Sequence, residues 1–187
     1  MLFSVSPYAN TRLTGDGRWS TRWGAFTRLA PVYRLYNPNA SLHVYTESRN
    51  ERATLISLAY SDESHSPTTF SNFSNQLAGT TNVWRLYNPT PPPAGGQHYY
   101  TLNSAERDFL VSIGWVSEGF IGYMHGTAPQ FDAVREVFHM YKPNAPGAGD
   151  RLYTSLAAER DALLASGQWQ QHTSLGFGFG GGLAGLF

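Results

Sequence analysis

Glutamate and histidine recur in this sequence at fixed distances from one motif, and these residue types serve acid–base, metal and sugar-binding sites. Glu51, Glu106 and Glu159 each stand five residues beyond an aromatic-Thr pair and directly before Arg52, Arg107 and Arg160. Glycoside hydrolysis needs two carboxylates flanking one bond. A glutamate present in every copy of a motif reads instead as scaffold, capping a helix and pairing with an arginine, because catalysis takes one asymmetric pair. Glu118 stands in the best-preserved copy and is the acid that a hydrolase would use. The six histidines, at 43, 65, 98, 125, 139 and 172, include no pair at helical ligand spacing and no HExxH. His43 and His98 occupy a position that Arg151 fills in a third copy, and a metal ligand does not normally become arginine. That position reads as hydrogen-bonding or stacking, and no metal or cofactor is expected. GxSxG, P-loop and dinucleotide fingerprints are missing, and there is no cysteine for a thiolate site or nucleophile. The expectation is a protein that is not an enzyme.

A second set is polar and aromatic. It comprises Tyr87, Asn88, His98, Tyr100, Arg107 and Trp115, with Glu118 beside them, and first-copy counterparts Tyr36, Asn37, His43, Tyr45, Arg52 and Tyr60. Sugars have apolar faces edged with hydroxyls, which suit a flat aromatic flanked by amide, imidazole and guanidinium groups. The competing reading has the tyrosines and tryptophan filling a small core while Asn-Pro makes a turn. Composition favours contact with neutral polar ligands. Charged residues are 14% of 187, aromatic residues are also 14%, and thirteen basic side chains balance thirteen acidic ones. A zero balance argues against nucleic acid, whose binding requires a basic field.

These residues sit on a repeated frame. Val32 to Pro38 reads VYRLYNP, Val83 to Pro89 VWRLYNP and Val137 to Pro143 VFHMYKP; the return segments are LHVYT, QHYYT and DRLYT. Alternating residues predict a strand that Asn-Pro or Lys-Pro ends. Ser48 to Glu51 and Asn103 to Glu106 fit capping boxes that open short helices, whereas Leu156 stands at the third cap position. Leu110, Ile113 and Leu163 predict an apolar helix face, and Gly114 and Gly167 a left-handed helix stop. WVSEGFIGYM predicts a further strand. The fold class expected is α+β: three pseudo-symmetric β-β-α-β repeats, mainly β with short helices, closing into one compact domain. The repeats run over about 31–80, 81–130 and 135–178.

The pattern V-[YW]-R-L-Y-N-P, H-Y-Y-T, A-E-R, G-W, E-G resembles the repeat family DUF5648. The second copy carries it best, with His98-Tyr99-Tyr100-Thr101, Ala105-Glu106-Arg107, Gly114-Trp115 and Glu118-Gly119. The first copy lacks the Gly-Trp and Glu-Gly endings but keeps Tyr60 and Glu63. The third has Lys142 for Asn, Arg151 for His and His172 where the acid would stand. The resemblance implies cell-surface or carbohydrate association and brings no catalytic residues.

The two ends differ from the repeats. Residues 1–30 carry Arg12, Arg18, Arg22 and Arg28 among Trp19 and Trp23, and read as a docking arm or an extra strand. Residues 179–187 end a glycine-rich apolar tail. Segments 1–30 and 175–187 are expected to meet a protein partner, with self-packing of the tail as the other reading. No apolar run reaches the eighteen residues of a membrane span, so none is expected. The opening segment lacks the order of a secretory signal, which points to synthesis in the cytosol. An extracellular or virion-associated setting, on a phage or phage-like particle released by lysis, follows as an expectation. The function expected is a non-catalytic cell-surface module that binds glycans or cell-wall polysaccharide. The alternative is a structural or assembly protein without glycan binding, and behind it a small glycan hydrolase.

Overall fold

The computed structural model describes residues 11–13, 19–21, 29–64, 69–90, 96–129, 134–145 and 149–180. The described chain is mostly β with three short helices, and its main sheet is compact and nearly barrel-shaped. The first strands are β1 (Thr11–Leu13), β2 (Trp19–Thr21), β3 (Leu29–Pro31), β4 (Tyr33–Asn37) and β5 (Leu42–Thr46), followed by α1 (Arg49–Ser57) and β6 (Ser61–Asp62). Next come β7 (Phe70–Phe73), β8 (Thr80–Tyr87), β9 (His98–Thr101), α2 (Ser104–Ser112) and β10 (Val116–His125). The chain continues through β11 (Val134–Lys142), β12 (Asp150–Thr154), α3 (Ala157–Ala165), β13 (Gln170–Gln171) and β14 (Gly176–Gly180).

Strands β4, β8 and β11 are central to their surroundings. β4 lies between β5 and β6, β8 between β9 and β10, and β11 pairs with β12, β13 and β14, all antiparallel. The main sheet runs β12-β11-β14-β7-β10-β8-β9, with β3 added on β7; β1 and β2 form a separate two-stranded sheet among the described residues. Val32, Val83 and Val137 precede or lie in the central strands and are fully buried in one core with Tyr45, Tyr100, Tyr153, Phe70 and Met124. Alternation gave the strands, but both faces of β4 are covered, since Tyr33, Arg34 and Leu35 are all buried.

The helix boundaries follow local chemistry. Ser48 accepts from the Glu51 amide and Asn103 from those of Ala105 and Glu106, while Leu156 supplies no side-chain cap. Each helix ends before a residue with positive φ: Ala59 (65°), Gly114 (100°) and Gly167 (71°). Glycine adopts this conformation freely and alanine does not. Ala59 is exposed, so Ala59→Gly is expected to raise stability by about 0.5–1 kcal/mol, read from the urea midpoint. Gly114→Ala should lower it by a similar amount.

The predicted apolar helix faces are not packed inside. None of the three helices buries a residue, and Phe109 and Ile113 remain 61% and 57% exposed. The β structure already fills the core, so the helices lie outside it, with Leu55, Leu110 and Leu163 half-buried among their apolar residues.

The structure describes the start of the expected tail, and there the self-packing reading applies. Residues 176–180 form β14, which pairs with β11, β7 and β10 inside the main sheet. Its glycines leave room for neighbours: a Cβ on Gly178 would stand 3.0 Å from the Ser71 carbonyl, and one on Gly180 2.6 Å from Arg135 Cγ. Phe179 packs edge-on against Phe73 at 5.2 Å. Self-packing therefore accounts for 175–180, and residues 181–187 lie outside the described residues. Of the expected N-terminal arm, residues 29–30 belong to β3 and most of the rest, Arg18, Arg22, Trp23 and Arg28 included, is likewise outside.

Candidate functional site

Strand alternation places Arg34 and Tyr36 of β4 on one face, and the antiparallel register sets His43 of β5 opposite Tyr36. The Tyr36 and His43 rings tilt at 42° with centroids 4.9 Å apart. Glu63, just after β6, places one carboxylate oxygen 2.9 Å from Arg34 Nε and 3.3 Å from His43 Nε2. The other two nitrogens of the Arg34 fork donate to Glu159 of α3 at 3.1 Å. His43 Nδ1 lies 2.7 Å from Asp150 of β12, which also accepts the His43 amide. Burial opposes charge on His43, but its bonds to Asp150 and Glu63 outweigh burial and raise its pKa. Burial alone would raise the Glu63 pKa; His43 and Arg34 reverse that and hold it below the ordinary value.

The same construction recurs on β8–β10. Arg85 Nε donates to Glu118 at 2.8 Å, its terminal nitrogens donate to Glu51 at 2.7 and 2.6 Å, and His98 Nε2 stands 3.1 Å from Glu118. Tyr87 and His98 also tilt at 42°, with centroids 5.1 Å apart. The His98 contact, joined by Arg85, holds the Glu118 carboxyl below its ordinary pKa. On β11–β13 the residue types differ. Arg151 lies over the rings of Tyr99 and Tyr141, each 4.7 Å away, and its Nη1 is 3.4 Å from His139 Nε2.

Of the residues singled out from sequence, the structure brings together Tyr36 with His43, and Tyr87 with His98 and Glu118. Tyr45 and Tyr100 are 1% and 3% exposed and lie in the core, bonded to each other, so they present no surface to a ligand. Asn37 and Asn88 accept from backbone amides two or three residues on and so shape turns. Arg107 lies 4.0 Å over Trp84 and pairs with Asp108, Arg52 covers Tyr33 and pairs with Asp62, and Trp115 meets Tyr99 edge-on. These belong to the framework around the sites.

Two clefts open beside the polar clusters. One, of about 340 Å³, is lined by Tyr36, His43, Glu63, Lys142, Asp150 and Trp169 among others. Trp169 is half-buried and backed by Leu163, Phe138, Met140 and Leu152, and Lys142 Nζ stands 5.9 Å from its ring. The other, of about 420 Å³, includes Tyr99, Asn103, Glu106, His139, His172 and Ser174. Sequence reasoning missed Asp150 as the partner of His43, and Lys142 and Trp169 as lining of the same cleft. Asp150 has Leu42 and Gln97 at the corresponding positions, so nothing in the repeat marks it.

The family described as a domain of unknown function, DUF5648, matches residues 20–178. The chain belongs to this family. No curated protein and no solved structure matches it. The DUF5648 match covers both clefts and every strand from β3 on except the last residues of β14. Among the described residues no group of His, Cys, Asp or Glu is placed to hold a metal ion, and no helix is long and apolar enough to cross a membrane.

Proposed function

We propose that this DUF5648 chain is a non-catalytic recognition module that binds glycans or cell-wall polysaccharide, with the cleft at Trp169 as its principal site. The observation that carries this reading is the composition of that cleft. A half-exposed indole shares about 340 Å³ with Tyr36 and with charged groups that already neutralise one another. An aromatic face suits the C–H face of a pyranose, and fixed polar groups suit its hydroxyls. Ion-paired carboxylates are poor proton donors. Glu118, the acid a hydrolase would use, is held ionised by His98 and Arg85, whereas leaving-group protonation needs a carboxyl held neutral.

Three copies arranged about a pseudo-threefold axis go with this reading. It is supported by the cyclic contact of Tyr45, Tyr100 and Tyr153, one from each segment, whose ring centroids are 5.4–5.6 Å apart at near-right angles. Several weak sites held in one body gain effective concentration against a polymeric wall. An extracellular or particle-borne setting suits such a module.

The test is binding to a glycan array and to isolated cell walls by the parent, Trp169→Ala and Trp169→Phe, each checked for folding by circular dichroism. Trp169→Ala should lose about tenfold or more in affinity, with partial recovery in Trp169→Phe. Unchanged binding would move the site away from this cleft. A parent that binds no sugar or wall preparation would leave a structural role in an assembly as the better reading.

A further inference from the structure

The three polar clusters differ in one respect that bears on ligand charge. Around β4 and β8, a basic pair encloses an internal carboxylate: Arg34 and His43 hold Glu63, and Arg85 and His98 hold Glu118. These two carboxylates are 33% and 34% exposed, so they lie where solvent reaches. Around β11 the corresponding pair is Arg151 and His139, whose imidazole burial and Arg151 hold neutral, and the position of the carboxylate in sequence is taken by His172. Among the described residues no carboxylate forms an ion pair with Arg151, and its Nε is buried without a hydrogen-bond partner. Its Cζ lies 4.7 Å from the ring centroids of both Tyr99 and Tyr141, and His172 lies 5.1 Å from both His139 and Tyr141, ring to ring.

This cluster borders the second cleft. Tyr99, His139 and His172 line the cleft, and Tyr99 and His139 also touch Arg151. Three acids stand nearby. Asp150 is turned to His43, Glu136 accepts the hydroxyl of the lining Ser174, and Glu106 lines the cleft and accepts the Tyr99 hydroxyl at 2.7 Å. The charge of Glu106, close enough to act on His172, opposes an incoming anion, so the Arg151 guanidinium behind Tyr99 and His139 has to outweigh it. About 420 Å³ leaves room for more than a bare ion, and Asn103, Thr173 and Ser174 supply a polar wall for a hydroxylated ring.

We infer that the cleft beside Arg151, His139 and His172 binds an acidic sugar, a pyranose carrying a carboxylate, whose acid group takes the place that Glu63 and Glu118 fill in the other two clusters. The assignment rests on the glycan-binding reading and deepens it, because it gives the second cleft a ligand class that the Trp169 cleft does not share. An arginine packed against two aromatic rings and free of any ion pair among the described residues offers carboxylate a charge-assisted fork. The ligand then supplies the one charge that the fold supplies elsewhere.

The test is an NMR titration of the full chain with glucuronate, glucose, acetate and inorganic phosphate, following the His139 and His172 ring signals and, separately, the Trp169 indole. Glucuronate should move the two histidines and bind at least about tenfold more tightly than the other three probes. His172→Glu, an exposed replacement that restores an internal carboxylate, should abolish that preference, and Arg151→Gln provides a second variant that removes the cation. Equal binding of glucose, acetate or phosphate would overturn the inference, as would glucuronate affinity unchanged in His172→Glu. Movement of the Trp169 indole by neutral sugars, with the histidines silent to glucuronate, would overturn it while leaving the proposed function standing. Silence at both clefts would overturn both.

Discussion

Removing the hydroxyl of Tyr100 by substitution with phenylalanine is expected to cost about 2–5 kcal/mol, although one oxygen atom is all that is lost. That hydroxyl accepts from the Tyr45 amide at 2.9 Å and donates to the Tyr45 carbonyl at 2.7 Å. Tyr153 serves Tyr100 in the same way, and Tyr45 serves Tyr153. Among the described residues β5, β9 and β12 each pair with one neighbouring strand, so their outward backbone groups have no ladder partner there. Unpaired strand edges invite association, and buried ones cost the desolvation of every orphaned group. Each tyrosine therefore caps the edge of another strand, which explains why tyrosine precedes threonine in LHVYT, QHYYT and DRLYT. Phenylalanine would retain the ring packing and strand two buried backbone groups. Tyr45→Phe and Tyr153→Phe should each resemble Tyr100→Phe in urea-melt stability, and combining two should approach the whole stability of an ordinary domain. A loss below about 0.5 kcal/mol, the level of a surface change, would show that water already satisfies those groups.

What sequence revealed and what it concealed divide along the range of the interactions. β4, β5, β8, β10 and the caps at Ser48 and Asn103 were legible because turns, alternation and capping chemistry act within a few residues. β7 and β14 were not. FSNF lies outside the repeated strand motifs, and GFGFG reads as part of an apolar tail, since glycine is unfavourable in a strand unless another chain segment comes close. Close approach is the case here: Ser71, Leu102 and Arg135 crowd those glycines. The same distinction holds at the site. The arginine, tyrosine and histidine of each cluster repeat in sequence and could be grouped, although the roles of Tyr45 and Tyr100 as edge caps could not. Asp150 reaches His43 across 107 positions and has no repeated counterpart, so only the fold brings the pair together. The third cluster was visible as departures, with Arg151 for His and His172 where the acid would stand, but that Arg151 has no carboxylate partner among the described residues emerges only when its neighbours are known.

Replacing Glu47 with glutamine should raise stability by about 3 kcal/mol at pH 8 and change it little at pH 4. Glu47 follows β5 and is half-buried; its carboxyl accepts from Asn72 at 3.0 Å and lies over Gly122, where a Cβ would strike it. Burial pushes its pKa from 4.5 to about 7, against the weaker opposing effect of the Asn72 bond. No cation pairs with it among the described residues, in contrast to Glu51, Glu63 and Glu118. As pH rises from 4.5 to 7 the unfolded chain gives up this proton while the folded chain keeps it, so stability falls through that window. Above it the folded state carries a buried anion. His43, whose pKa is also raised on folding, has the same sign and loses its contribution as pH rises above its ordinary value of 6.5. His139 has the opposite sign: burial, with Arg151 and His172, lowers it to about 3, so its contribution is lost as pH falls from 6.5 towards 3. The parent should accordingly be less stable at pH 8 than at pH 6 and lose stability again in acid. Glu47→Gln keeps the acceptor for Asn72 and removes the ionisation, so its pH 8 deficit should shrink and its acid limb persist. Urea midpoints of both proteins from pH 4 to pH 8 measure this directly. Parallel curves would mean that water or a relaxed side chain solvates Glu47 in the folded state, and that its burial carries no cost.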